Sequence, residues 1–254
     1  MIYLYSATGN TKYAAEYLGS LLNETCINIL DKHEPLPFPE DEEPIGIMFP
    51  IYCWGVPPVV SRFLENLLFK RISKERYVWG VCTCGDEAGT AMKSLNRRLT
   101  AHRGRPADAL CSLIMPNTYV LLPGFDVDSQ ETENNKLKNA PGRLEEIADM
   151  IRNRQTGIYD VKEGSLPSLR SAVFPIFKKW GINTNWWHVS ERCIGCGKCA
   201  ASCPADNIRM IDSLPHWGKN CFSCCACFHC CPVNAISYSS FTKGKSQYRL
   251  PLSP

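Results

Sequence analysis

The chain has 254 residues, 44% of them hydrophobic, so it is long and apolar enough to bury a core. Its formal net charge of +3 is too small to indicate nucleic-acid binding. The sequence shows no secretory signal and no apolar run of about 18 residues, which argues against a membrane span. Fifteen cysteines in such a chain predict metal or redox chemistry in a reducing cytoplasm, not disulfides.

Residues 1–155 alternate between strand patterns and helix patterns. The predicted strands are residues 2–5, 26–30, 44–49, 77–83 and 109–115, and the predicted helices are residues 11–23, 59–69, 87–99 and 141–154. Such an alternation predicts an α/β fold with a doubly wound, five-stranded parallel sheet. Ligands of these sheets lie beyond the carboxyl ends of the strands.

The loop after the first predicted strand, residues 6–11, reads Ser-Ala-Thr-Gly-Asn-Thr. Small hydroxyl residues and a glycine allow backbone N–H groups to surround a phosphate, and the following helix adds its positive end. The loop lacks the lysine of the G-x4-G-K-[ST] pattern, which argues against a nucleotide triphosphatase. The alternative is a simple helix cap, with Thr8 or Asn10 as the N-cap residue.

This loop resembles the phosphate loop of flavodoxins, and the resemblance extends to residues 50–58 and 83–89. In flavodoxins these two segments enclose the isoalloxazine ring, so Tyr52 and Trp54 are expected to stack on it, unless they are ordinary core or surface aromatics. Cys82 and Cys84 stand where an aromatic ring is expected, so either Asn117 and Tyr119 cover the second face or that face is open to another redox partner. The resemblance implies FMN contacts at Ser6, Thr8, Gly9, Asn10, Thr11, Pro50, Tyr52, Trp54, Gly55, Thr83, Cys84, Gly85, Gly89, Asn117 and Tyr119.

Residues 156–187 form a predicted linker. Its apolar run and its tryptophans are unlike a free linker, which would be polar, so it is expected to pack between two domains. The alternative is a patch that contacts a membrane surface or a partner protein. The basic residues that would assist such a patch are Lys178, Lys179, Lys243, Lys245 and Arg249.

Ten of the fifteen cysteines lie in residues 193–231, where the pattern C-x2-C-x2-C-x3-C-P occurs twice with an offset of 28 residues. The first copy contains Cys193, Cys196, Cys199 and Cys203, and the second contains Cys221, Cys224, Cys227 and Cys231. Three thiolates spaced in this way wrap an iron–sulfur cube, and the proline suits the first turn of a short helix. Structural zinc is the alternative, but it usually takes two pairs of ligands for each ion.

The repeat resembles bacterial-type two-cluster ferredoxins over about residues 188–238. In that family the fourth cysteine ligates the other cluster. The resemblance therefore implies one [4Fe–4S] cluster on Cys193, Cys196, Cys199 and Cys231, and a second on Cys221, Cys224, Cys227 and Cys203. Two extra cysteines, Cys225 and Cys230, are expected to be small buried residues or substitute ligands.

Both halves together resemble the flavodoxin–ferredoxin fusion proteins of anaerobic bacteria, with domains at 1–155 and 188–254. This implies FMN and two [4Fe–4S] clusters that relay electrons to or from an external carrier protein or small-molecule acceptor. The alternatives are an FMN-dependent reductase of a small organic acceptor fed by the clusters, and a redox-responsive binding protein. The sequence assigns no residue a catalytic role, and it shows no second Gly-rich fingerprint for a nicotinamide. Peripheral contact with a membrane and a homodimer are both compatible with it.

Overall fold

The computed structural model describes residues 1–31, 36–40, 43–68, 71–175 and 183–250. The strands are β1 (Ile2–Leu4), β2 (Cys26–Asn28), β3 (Ile45–Pro50), β4 (Val78–Cys84), β5 (Ala109–Ile114), β6 (Ile158–Asp160), β7 (Trp187–Val189), β8 (Ile208–Ile211), β9 (Leu214–Trp217) and β10 (Ile236–Tyr238). The helices are α1 (Asn10–Leu22), α2 (Pro58–Phe63), α3 (Ala91–Arg103), α4 (Gln130–Arg152), α5 (Pro167–Ser171), α6 (Lys198–Ala201) and α7 (Ala226–Cys230). A π-helical turn, Leu64–Leu68, continues α2, and a 3₁₀ turn, Thr184–Trp186, precedes β7.

Strands β1 to β6 form one parallel sheet in the order β2-β1-β3-β4-β5-β6. The first five follow the flavodoxin-like order, which reverses between β1 and β3. The doubly wound α/β prediction is therefore confirmed, but the sheet has six strands and not five. The sixth strand is short and half-exposed, with no apolar run to reveal it, and it carries the sheet past residue 155.

The central strands β3, β4 and β5 are buried almost throughout, as expected for strands covered by helices on both faces. One face packs Tyr5, Phe49 and Leu95 into an apolar cluster. The other packs Trp79 against α1 and α4, through residues such as Leu18 and Leu144. The two apolar clusters hold the sheet between them, and the carboxyl ends of β1, β3, β4 and β5 lie at the same edge of it.

Two predicted helix boundaries are wrong. Helix α4 begins at Gln130 and not at 141, because Ser129 caps it by accepting a hydrogen bond from the N–H of Thr132. The sequence pattern predicts a start at Pro141, which the structure places inside the helix. Helix α3 begins at Ala91 and not at 87, which leaves residues 85–90 as a loop beside the carboxyl end of β4.

The carboxy-terminal part is small and contains two antiparallel strand pairs, β7–β10 and β8–β9, and the short helices α6 and α7. Left-handed backbone positions recur at the 28-residue offset in the pairs Gly195 and Ser223, Gly197 and Cys225, and Asp206 and Asn234. The sequence repeat is therefore also a repeat of backbone conformation. Within the described ranges, none of the helices has the length and apolarity needed to cross a bilayer.

Residues 176–182 of the predicted linker, which include Trp180, Lys178 and Lys179, lie outside the described residues. The described part of this segment packs on the α/β part of the molecule, where Phe174 lies against Gly55. Two of the basic residues of the tail make intramolecular hydrogen bonds: Lys245 to backbone carbonyls of residues 120–125, and Arg249 to the carbonyl of Cys231.

Candidate functional site

A cleft of about 430 Å³ opens at the carboxyl ends of β1, β3, β4 and β5. This volume is in the range of small-ligand and cofactor pockets. Among the predicted FMN contacts, those that line it are Ser6, Thr8, Asn10, Thr11, Pro50, Tyr52, Trp54, Thr83, Cys84, Gly85, Asn117 and Tyr119. The structure thus brings all three predicted loops together, whereas Gly9, Gly55 and Gly89 shape the loops without lining the cleft.

Within residues 6–11, Gly9 is the N-cap of α1 with a φ of 103°, and the helix begins at Asn10. Gly9 has no side chain to accept a capping hydrogen bond, so the alternative reading, in which Thr8 or Asn10 is the N-cap, is wrong. The first N–H groups of a helix have no partner within the helix. With a glycine cap, those of α1 are available to an anion.

Two side chains of this loop hold the cleft together. The amide of Asn10 donates to the Pro116 carbonyl at 2.9 Å and accepts from the Tyr248 hydroxyl at 2.6 Å. The hydroxyl of Thr11 is 2.7 Å from that of Thr83, which joins the first loop to β4. Both residues therefore line the cleft with side chains whose polar atoms already have protein partners.

The second loop makes a tight turn, in which Tyr52 and Gly55 exchange backbone hydrogen bonds of 3.1 and 2.9 Å. The central residues, Cys53 and Trp54, have φ values of 46° and 57°. Such turns favour asparagine and glycine, and a left-handed conformation for other residues costs about 1–3 kcal/mol each. The turn therefore needs support from its surroundings.

That support comes from the segment that was predicted to be a linker. The Ser171 hydroxyl donates to the Trp54 carbonyl at 3.2 Å, and Phe174 packs on Gly55. The Trp54 indole donates to Glu87 at 2.9 Å, and Glu87 also pairs with Arg170, which lines the cleft. The aromatic wall at Trp54 is thus clamped from two sides.

The third loop requires a glycine at position 85. A Cβ there would lie 1.6 Å from the side-chain oxygen of Asn117. Asn117 donates to Asp86 and to Asp128, each at 3.0 Å, and Asp128 also accepts from Lys136 at 2.7 Å. Burial acts to raise the pKa of Asp128, but the hydrogen bonds from Lys136 and Asn117 outweigh it and lower the pKa.

Tyr52 and Tyr5 form a hydroxyl pair at 3.0 Å below the cleft. Burial raises the pKa of both phenols well above the usual value, and the nearby Cys224 thiol adds to the rise. Tyr119, on another wall, lies edge-on to Phe125 with ring centroids 5.7 Å apart. Tyr52, Trp54 and Tyr119 are therefore the three predicted aromatic residues that border the cleft.

Part of the cleft wall comes from the second cysteine repeat. Ser223 and Cys224 line the cleft, and Phe222 packs against the apolar cluster that contains Tyr5 and Phe49. No local pattern in the sequence indicates this contact, because Tyr5 and Phe49 lie more than 170 positions before Phe222. It brings a predicted cluster ligand to the edge of the predicted FMN site.

The repeated cysteines surround two small cavities. The first cavity is bordered by Cys193, Cys196, Cys199 and Cys231, and the second by Cys203, Cys221, Cys224, Cys227 and the extra Cys225. Among the described residues no His, Cys, Asp and Glu side chains converge tightly enough to hold a single metal ion.

Backbone N–H groups point to several of these sulfurs. Asn207 donates to Cys203 at 3.3 Å, Ala235 donates to Cys231 at 3.2 Å, and Ser223 donates to Cys221 at 3.4 Å. The first two contacts are equivalent under the 28-residue offset. Burial raises the pKa of the Cys199 thiol to about 11, so a metal that binds this sulfur must displace its proton.

The extra cysteines have different surroundings. Cys225 is buried in a left-handed conformation beside the second cavity, and burial raises its pKa to about 12. Cys230 is half-buried, and its sulfur lies 3.1 Å from the Ser202 hydroxyl. It does not border either cavity.

His229 lies between the two parts of the molecule. Its Nδ1 accepts from the Tyr248 N–H at 3.0 Å, so its Nε2 carries the proton and donates to the Thr118 carbonyl at 2.7 Å. Burial lowers the pKa of His229 to about 4, which keeps the ring neutral. The same Tyr248 reaches Asn10 through its hydroxyl, so one chain of hydrogen bonds links α7, the carboxy-terminal tail and both edges of the cleft.

Residues 187–209 match the family model described as the 4Fe-4S binding domain. This match covers the first cysteine repeat and confirms the prediction of a [4Fe–4S] binding domain there. The chain joins a flavodoxin-like fold to a 4Fe-4S binding domain. The second cluster and the ligand sets stay predictions.

Solved structures resemble the chain weakly. A putative flavoprotein from Bacteroides uniformis is 20% identical over 54% of this chain and 96% of that chain, with a TM-score of 0.35. A flavodoxin from Fusobacterium nucleatum bound to flavin mononucleotide is 12% identical over 61% and 97%, with a TM-score of 0.41. Rubredoxin oxygen:oxidoreductase from the anaerobe Desulfovibrio gigas is 14% identical over 60% and 36%, with a TM-score of 0.38. These scores are low, and it is the strand order that shows the flavodoxin-like fold. A search of curated proteins finds no match.

The bridging role of His229 predicts a large effect of His229→Ala on stability. The change leaves the Thr118 carbonyl and the Tyr248 N–H without their partners, at a cost of about 1–3 kcal/mol for each buried group. We expect the free energy of unfolding, measured by denaturant titration of the intact protein, to fall by about 2–4 kcal/mol. The exposed His216 offers the control, because His216→Ala should change it by no more than about 0.5 kcal/mol. Equal stability of the two variants would contradict the bridge.

Proposed function

We propose that this chain is an electron-transfer protein that holds FMN in the cleft and two [4Fe–4S] clusters in the two cavities. In this proposal, electrons are exchanged internally and with an external redox carrier or acceptor. The observation that supports it most directly is the position of Cys224, which borders both the cleft and the second cavity. A single residue is thus shared between the two predicted cofactor sites.

The residues around the cleft fit FMN. The glycine-capped N-terminus of α1 and the small residues of the 6–11 loop suit the phosphate. The aromatic side chains of Tyr52, Trp54 and Tyr119 suit the flat, largely apolar ring system. The clamp from Arg170, Ser171 and Phe174 would keep the Trp54 turn in place and reduce water access from that side.

The cysteines fit the two clusters in the crossed arrangement. The first cavity would hold one cluster on Cys193, Cys196, Cys199 and Cys231, and the second cavity would hold the other on Cys221, Cys224, Cys227 and Cys203. When bound, such clusters exchange single electrons and FMN exchanges one or two. The role of the chain is to fix the separation of the sites, exclude water and set the potentials through burial and hydrogen bonds.

Reductive titration of the anaerobically purified protein tests this function. Two one-electron sites and one two-electron site predict an uptake of about four electron equivalents per chain. The visible spectrum should show bleaching of both flavin and cluster bands. An uptake of about two equivalents with no flavin band would contradict the proposal, because the protein would then be a ferredoxin attached to an empty α/β fold.

Thr8→Glu tests the position of the phosphate. The new carboxylate would stand in the loop at the N-terminus of α1 and repel a phosphate bound there, so we expect loss of most of the flavin. Thr100→Glu, an exposed position on α3 remote from the cleft, adds the same charge and should keep full flavin content. Flavin retained by Thr8→Glu, measured by absorbance after anaerobic purification, would place the phosphate elsewhere.

Cysteine variants test the number and the ligands of the clusters. We expect about eight iron atoms per chain, and about four after either Cys196→Ala or Cys224→Ala, because each change removes a ligand of a different cluster. Cys230→Ala is the matched control and should keep full iron content, since Cys230 borders neither cavity. Full iron in both ligand variants would refute the assignment.

A further inference from the structure

Trp187, which is buried, and Trp217, which is half-buried, border the second cavity. Trp187 and Trp217 stack with ring centroids 5.4 Å apart and planes 10° from parallel. Both indole nitrogens are buried, and neither makes a hydrogen bond within normal geometry to any described residue. A buried N–H group without an acceptor is costly, so the position of these two groups needs a reason.

The second cavity places both indoles beside cysteine sulfurs. Trp187 and Trp217 border it together with Cys203, Cys221, Cys224 and Cys227. Among these sulfurs, the Trp187 indole N–H lies near that of Cys221, and the Trp217 indole N–H lies near that of Cys227. Both indole N–H groups are thus placed to donate to two of the predicted ligands of the second cavity.

No tryptophan is among the described residues that border the first cavity, although Lys198 borders it. Under the 28-residue offset, the residue equivalent to Trp187 is Pro215, which borders the first cavity, and the residue equivalent to Trp217 is Val189. Proline and valine have no side-chain N–H group. The two halves of the repeat therefore share their cysteines and backbone turns but differ in hydrogen-bond donors.

We propose that Trp187 and Trp217 donate N–H hydrogen bonds to the Cys221 and Cys227 sulfurs of a cluster in the second cavity, and that these bonds raise the reduction potential of that cluster. The inference rests on the proposed function. Reduction adds negative charge to a cluster, so N–H donors at its sulfurs stabilise the reduced state more than the oxidised state. The cluster whose potential is raised would be the one that shares Cys224 with the cleft.

The test is a potentiometric titration of the holoprotein, followed by EPR, for Trp187→Phe, Trp217→Phe and the double variant. Phenylalanine keeps an aromatic ring but removes the N–H. In each single variant we expect one of the two cluster potentials to fall and the other to stay unchanged. In the double variant the same potential should fall further. The expected change in the ratio of reduced to oxidised cluster is up to about tenfold, which is 59 mV for a one-electron couple.

Two matched controls separate a hydrogen bond from a general effect of losing a tryptophan. Trp186→Phe changes the neighbouring exposed indole, and Trp79→Phe removes another buried N–H without a partner, in the sheet. Neither should move a cluster potential. A uniform shift of both potentials, or no shift in either variant, would overturn the proposal.

A second measurement needs no substitution. Protein labelled with ¹⁵N at the indole nitrogen is reduced and studied by pulsed EPR, which should detect ¹⁵N coupling to one cluster and none to the other. Absence of that coupling in protein with full iron content would overturn the proposal while leaving the electron-transfer function intact. Absence of cluster iron and of any EPR signal would instead overturn the proposed function itself.

Discussion

The loop after β5 has buried carbonyl groups that need donors, and the second half of the molecule supplies them. Val120 and Leu121 are fully buried against the cysteine-rich part. The Lys245 ammonium donates to the carbonyls of Val120 and Leu122 at 2.7 and 2.9 Å. His229 donates to the Thr118 carbonyl just before them. Since a buried carbonyl without a donor is unfavourable, these hydrogen bonds stabilise the loop after β5, which forms part of the cleft wall.

The two halves of the repeat are unequal. The position after the first ligand is Ile194 in the first half, 64% exposed, and Phe222 in the second half, packed on the α/β core. The second cysteine of each copy follows the same trend, because Cys196 is exposed whereas Cys224 borders the cleft. The first cavity thus lies near solvent and the second near the cleft.

Much of this arrangement follows from local patterns in the sequence. The spacing of Cys193 to Cys231 predicts the two groups of thiols, and alternating strand and helix patterns predict which loops share an edge of the sheet. What local patterns do not contain are contacts between distant segments. The Tyr248 hydrogen bond to Asn10 joins residues 238 positions apart, and the clamp of Phe174 on Gly55 comes from a segment expected to be a linker. The strand Ile158–Asp160 was missed because pairing with β5, and not its own composition, makes it a strand.

The clamp also explains how an unfavourable turn is kept at the centre of the site. Cys53 and Trp54 adopt left-handed conformations that an Asn-Gly pair would adopt more easily. Asparagine and glycine, however, would provide no aromatic wall. The chain keeps the tryptophan and offsets the strain with contacts from Ser171, Phe174 and Glu87. Because Ser171 and Phe174 belong to the segment that leads toward the cysteine repeat, the geometry of the cleft depends on that segment as well as on the sheet.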